Sequence, residues 1–148
     1  HYDIQKIYYN RDFLFYDFLI RDMKYRVFIE YMSDYDMIHI GFEKYDEESW
    51  NWRIKGIDDE LKNGEIQKLF GTIIFVVKDL YKKQYTNILF GSDEDKKFRV
   101  YLRLVSQISN ELIPGSSVSH DERKIIIHKN VKSKINLSKI VTKYKPKK

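Results

Sequence analysis

The sequence predicts an α+β domain: a mostly antiparallel sheet with two main helices, in the order β-β-β-(β)-α-β-α-β. Three observations predict it. Apolar residues recur at a 3.6-residue period over Glu65–Gln84 and again over Glu94–Leu112. Between them, Thr86–Phe90 is a short apolar run of the kind a central strand makes. Ahead of them, residues 12–42 read as strand-like segments joined by short polar breaks, which favours an antiparallel meander.

The elements follow in chain order. Tyr2–Arg11 has a mixed pattern with no clear period. Asp12–Ile20, rich in Phe and Tyr, reads as a strand that Arg21-Asp22 can turn. Lys24–Met32 alternates: Tyr25, Val27, Ile29 and Tyr31 share one side, and Arg26, Phe28 and Glu30 the other. Ser33-Asp34 breaks the run, and Met37–Phe42 forms the third strand. Tyr45–Asn63 is the least regular stretch, with a short strand expected at Asn51–Lys55. Asn63-Gly64 precedes the first helix, in which Ile66, Leu69, Phe70, Ile73, Val77, Leu80 and Tyr81 keep helical spacing. The second helix carries Phe98, Tyr101, Leu102, Val105, Ile108 and Leu112 on one face, and Pro114-Gly115 stops it. Ser116–Val118 and Lys124–His128 read as a closing strand or hairpin. The first helix is expected to be a right-handed crossover to the strand after it.

The 148 residues, 43% hydrophobic and 33% charged, fit a single domain over residues 1–130. Residues 131–148 form a basic C-terminal tail. Of the net charge of +5, the tail supplies seven lysines and no acid, so the body is net acidic. The absence of cysteine excludes disulfides, thiolate metal sites and thiol nucleophiles. No stretch reads as a signal peptide or a membrane span, so a cytoplasmic protein without membrane contact is expected.

Gly41-Phe42, Asp58-Asp59, Asn63-Gly64, Leu69-Phe70-Gly71-Thr72-Ile73, Gly91-Ser92 and Arg99-Val100-Tyr101 with Arg103 stand in one order over residues 36–112. In this the chain resembles an uncharacterised bacterial domain family, a domain of unknown function. Its members run an aspartate pair, Asn-Gly, a Leu-Ala-Thr-Val helix, and Gly-Ser-Thr before an Arg-Leu-Tyr-Arg-like helix. Here Asp93 replaces the Thr, and the turn after it is acidic. The element order also resembles the GNAT-type acyltransferases. Where that family has a glycine-rich pyrophosphate loop, this chain reads Leu61-Lys62-Asn63-Gly64-Glu65-Ile66, with one glycine. The resemblance implies the topology without the acyl-CoA loop.

Candidate chemistry is sparse. Tyr45, Trp50 and Trp52 lie among acids that include Asp58 and Asp59, a composition suited to protein interfaces, where Tyr and Trp act as anchors. Gly91 and Ser92, at the end of a strand and the start of a helix, are where α/β folds bind anions, and Lys96, Arg99 and Arg103 follow at helical spacing. Asp93, Glu94 and Asp95 crowd the same helix end and favour a structural role, pairing with Lys96, Lys97 and Arg99 at helical spacing. The tail lysines Lys143, Lys145, Lys147 and Lys148 could contact nucleic acid. The carboxylates of the 46–60 loop match no calcium-loop spacing, and no two histidines stand at i, i+4, so no metal and no cofactor is expected. His120-Asp121 beside Ser117 and Ser119 invites comparison with a catalytic triad, but turn chemistry explains it and no nucleophile elbow is present.

The leading expectation is therefore a small non-enzymatic interaction protein, of accessory, antitoxin-like or host–mobile-element type, binding a protein through Tyr45–Asp59. A nucleic-acid binder using the tail and a diverged GNAT-like acyltransferase are the alternatives.

Overall fold

The computed structural model describes residues 2–33, 36–53, 61–81, 87–91, 95–113, 115–121 and 124–128, with backbone alone at 51–53, 81, 95–98 and 100. Strands Gln5–Tyr8 (β1), Phe13–Ile20 (β2), Met23–Met32 (β3), Met37–Asp46 (β4) and Asn51–Arg53 (β5) precede helix Asn63–Tyr81 (α1). Strand Asn87–Gly91 (β6), helix Asp95–Leu112 (α2) and strands Ser117–His120 (β7) and Lys124–His128 (β8) complete the order. One eight-stranded sheet runs β1-β2-β3-β4-β6-β8-β7, with β5 paired to β4.

The meander forms because its turns are two-residue or short connections. Ile20 pairs with Met23 across Arg21-Asp22, and Arg21 takes φ 55°, the left-handed conformation such tight hairpins need. β1 is an addition to the expected order. It is an exposed edge strand, so no buried face imposes a pattern on Gln5–Tyr8. β4 runs past Phe42 to Asp46, because β3 pairs with it on one side as far as Lys44 and β5 pairs with its end on the other.

The parallel pairing among the described strands is β4 with β6, over Met37–Ile40 and Asn87–Phe90. β6 and β7 are each antiparallel to β8, hence parallel to one another. Both crossovers, β4-α1-β6 and β6-α2-β7, thus step in the same direction across the sheet, and right-handed connections place both helices on one face. Packing agrees. Leu69, Ile73, Val76 and Leu80 of α1 and Tyr101, Leu104, Val105 and Ile108 of α2 share one core with Leu14, Tyr16, Val27, Ile29, Ile40, Phe42, Phe90 and Ile127.

α1 is tied down at both ends. Arg21 Nε meets Glu65 Oε2 at 3.0 Å near its start. Tyr16 donates its hydroxyl to Asp79 Oδ2 at 2.7 Å near its end, where Lys6 Nζ also reaches Asp79 at 2.7 Å. Thr72 accepts the Tyr2 N–H at 2.9 Å from mid-helix. α2 is anchored by Tyr101, whose ring lies 5.8 Å from that of Phe42 and 5.4 Å from that of Phe90.

The opposite face of the sheet is also buried. It carries Phe15, Phe28, Met32, Met37, Leu89 and Ile126 together with polar Glu30, His39, Glu43, Asn87 and His128. Glu30 and Glu43 are each 0% exposed. Arg26 forks onto Asp17 across β2 and β3 at 2.8 and 3.0 Å and lies 4.0 Å from the Phe15 ring centre.

Gly41 makes room on this face for Phe28, its cross-strand partner. A methyl at Gly41 would sit 2.4 Å from Phe28 Cζ. The Phe28 ring is held edge-on to His39 at 5.3 Å and has little freedom to give way. Gly41→Ala is therefore expected to cost about 1–3 kcal/mol, the range of overpacking substitutions. Denaturant unfolding of Gly41→Ala in the wild-type and Phe28→Leu backgrounds checks this. The cost shrinks in the second background if the clash is the cause, and an unchanged cost in both would refute it.

Candidate functional site

β4 and β6 point the same way, and both helices begin at the carboxyl end of a strand. The turn between β2 and β3, the β4–β5 hairpin and the first turns of α1 and α2 consequently gather at one end of the sheet. This is the end at which α/β sheets place their binding groups. The expected residues divide among three places on it.

The first is the β4–β5 hairpin. Asp46 pairs with Asn51 and Tyr45 with Trp52 in the register of the ribbon. The loop between them is braced by Asp46. Its Oδ1 accepts the Glu48 N–H at 3.1 Å, and its Oδ2 accepts the Ser49 hydroxyl at 3.0 Å. Trp50 closes the loop at φ 57°, a conformation that a bulky side chain rarely adopts. It is 81% exposed. Lys24 Nζ lies 5.5 Å from the Tyr45 ring centre. Beside the ring opens a cleft of about 520 Å³ lined by Asp22, Met23, Lys24, Lys44, Tyr45, Asp46, Glu47 and Glu48. Four of these are carboxylates and two are lysines, so the cleft is acidic around an aromatic wall. Asp58 and Asp59, expected to extend this surface, lie outside the described residues.

The second place is the start of α2. Gly91 ends β6, one residue past the expected strand end at Phe90, while Ser92 lies outside the described residues and Lys96 is described by its backbone alone. Arg99 and Arg103 are both exposed and one turn apart on α2. Lys143, Lys145, Lys147 and Lys148 also lie outside the described residues.

The third is the start of α1, where the GNAT-type resemblance would put a pyrophosphate loop. Here the chain supplies its own anion. Glu65 Oε1 accepts the Lys62 N–H at 3.0 Å, the carboxylate half of a capping box, while the Lys62 carbonyl accepts the Ile66 N–H at 3.0 Å as the helix begins. That backbone hydrogen bond, with help from Arg21, holds the Glu65 carboxyl below the usual carboxylate range. The Lys62 amide, which could meet a phosphate oxygen, is occupied by a carboxylate.

A fourth group was not singled out by sequence reasoning. On the sheet face opposite α1 and α2, Ser119 Oγ lies 3.1 Å from His128 Nε2, and His128 Nδ1 lies 3.2 Å from Asn87 Oδ1. Asn87 donates from Nδ2 to the Asp36 carbonyl at 3.3 Å. The pairings Asn87↔His128 and Ser117↔His128 bring the three strands together. Burial keeps the His128 pKa below its ordinary value. His120, by contrast, is exposed at the end of β7, next to the turn. Its Nδ1 lies 3.3 Å from the Asp121 carbonyl, and Asp121 Oδ1 accepts the Lys124 N–H at 2.7 Å. The signal that could have found the group is Ser119 and His128 on adjacent strands of one hairpin. Asn87, 41 positions from His128, is reachable only through the fold.

No group of residues suited to hold a metal ion occurs among the described residues, and among them no helix is long and apolar enough to cross a membrane. Compared with protein-family models, curated proteins and solved structures, the chain matches none.

Proposed function

We propose that the chain is a macromolecule-binding module that grips a protein partner with the tip of the β4–β5 hairpin. The observation that carries this reading is Trp50: 81% exposed, at a positive φ, on a loop stiffened by two hydrogen bonds to Asp46. A large aromatic presented on a rigid support loses little conformational entropy on binding and is a typical interface anchor. Tyr45 and the acidic cleft flank it, so the partner surface is basic, with an apolar socket for the indole.

The test is affinity capture with the full chain and with Trp50→Ala. The full chain retains a stoichiometric protein partner, and Trp50→Ala weakens its capture about 30-fold, the effect of losing an anchor of about 2 kcal/mol. Equal capture by both chains would overturn the reading. Arg99 and Arg103, exposed one turn apart, support nucleic-acid binding as a second reading. Its mark is an affinity that falls steeply with salt and survives Trp50→Ala.

A further inference from the structure

We propose that Ser119 is an activated nucleophile toward carbonyl electrophiles, with His128 as its base and Asn87 as the group that orients the base. The inference concerns the region beside the amino-terminal end of β4, where Asn87 pairs with Met37 and with His128, away from the hairpin at the other end of that strand, and is independent of the partner proposed above.

The hydrogen-bond chain sets the protons. Asn87 turns its amide NH₂ toward the Asp36 carbonyl, so its Oδ1 faces His128 Nδ1 at 3.2 Å. An acceptor there requires the imidazole proton on Nδ1. The lone pair is then left on Nε2, which faces the Ser119 hydroxyl at 3.1 Å. A hydroxyl within hydrogen-bond reach of a base that is itself oriented by a third group is the constellation that activates serine nucleophiles. The imidazole is buried, which keeps it neutral and able to take a proton. Ser119 itself is exposed, so an electrophile can reach Oγ.

The supporting elements are rigid. The three side chains sit on β6, β8 and β7, neighbours in one sheet. β7 is the last strand of the sheet, and among the described residues nothing pairs with its outer edge.

The substrate class that suits an open serine is an ester of a small acyl group. Ser119 Oγ bonds to the carbonyl carbon as its proton passes to His128 Nε2. The bond from that carbon to the alkoxy oxygen breaks, and the alcohol departs with the proton from His128. Water then adds to the acyl-serine, giving a proton to His128. The carbon–Oγ bond breaks, the carboxylic acid leaves, and the proton returns to Ser119.

The test uses the full chain and a fluorophosphonate probe, with labelled peptides located by mass spectrometry. Attack by Oγ forms the serine–phosphorus bond and expels fluoride, the proton going to His128. Ser119 is expected to react about a hundredfold faster than Ser106 of the same chain, an exposed serine with no imidazole among its hydrogen bonds. His128→Gln removes that advantage. Asn87→Leu removes it as well, whereas Asn87→Asp, which still accepts from Nδ1, retains it. Ester hydrolysis, followed with p-nitrophenyl acetate, exceeds that of Ser119→Ala. Equal labelling of Ser119 and Ser106, a comparison that needs no variant to fold, overturns the proposal. So does undiminished labelling in a folded His128→Gln protein.

Discussion

Replacing Tyr101 by alanine lowers the stability of the fold by about 3–5 kcal/mol, as for other large-to-small changes of buried aromatic residues. Tyr101 is 1% exposed and lies over the seam between β4 and β6. That seam is the parallel pairing among the described strands. Only Met37–Ile40 of β4 pairs with β6, and beyond Ile40 the β4 edge next meets β5 at Lys44. Its stability therefore leans on side chains that bridge it from above. Tyr101 does so by packing against Phe42 on one strand and Phe90 on the other. Tyr101→Phe keeps the ring and loses the buried hydroxyl, which burial holds in its protonated form. Its expected cost is well below that of Tyr101→Ala, because the ring contacts with Phe42 and Phe90 are kept. Denaturant titration measures both, with an unchanged m value marking a simple loss of stability. A cost below about 1 kcal/mol for Tyr101→Ala would show that the seam does not depend on this contact.

His39→Leu is the second substitution with a large expected effect. Glu30 is 0% exposed on the sheet face opposite α1 and α2, and His39 Nδ1 lies 3.1 Å from its Oε1. Taking away one member of a buried hydrogen-bonded pair removes part of what compensates the other's desolvation, at a cost of about 1–3 kcal/mol. The neighbours Met32, Met37, Leu89 and Ile126 are apolar, so the double substitution Glu30→Leu/His39→Leu places leucines in a compatible setting. Replacing both members of such a pair is often neutral. The double variant is therefore expected to be more stable than His39→Leu alone, a non-additivity that a double-mutant cycle resolves. Additive losses would mean that the two side chains act independently.

These two sites also show where the pattern in the sequence ends. The periodicity of α2 picks out Tyr101, Val105 and Ile108 correctly, because a helix buried on one stripe writes that stripe into its spacing. The alternation in β3 likewise separates Tyr25, Val27 and Ile29 from Arg26, Phe28 and Glu30. It cannot tell that the second set is buried too, since a charged residue looks solvent-facing until its partner is known. β4 was expected to stop at Phe42 for the same reason: Glu43 and Lys44 read as polar, yet Glu43 is fully buried and the strand continues. β1 left no pattern because an exposed edge strand buries too little to need one.

The candidate surfaces follow the same logic. Tyr45 and Trp50 stood out because large aromatics among carboxylates are costly to expose without a use. The pairing of Tyr45 with Trp52 and the bracing by Asp46 depend on hairpin register, which only the fold supplies. The Ser119–His128–Asn87 chain depends on two registers at once, so neither spacing nor composition could announce it.

The central claim, that Trp50 is the anchor of a protein interface, is tested most directly by its own fluorescence. In a Trp52→Phe chain, Trp50 is the sole tryptophan. Free, it should emit as a water-exposed indole and be readily quenched by acrylamide. With the captured partner bound, the account predicts a shift to shorter wavelength and protection from the quencher, as the indole enters an apolar socket. Binding that leaves emission and quenching unchanged, with a partner that lacks tryptophan or has its own contribution subtracted, would contradict it.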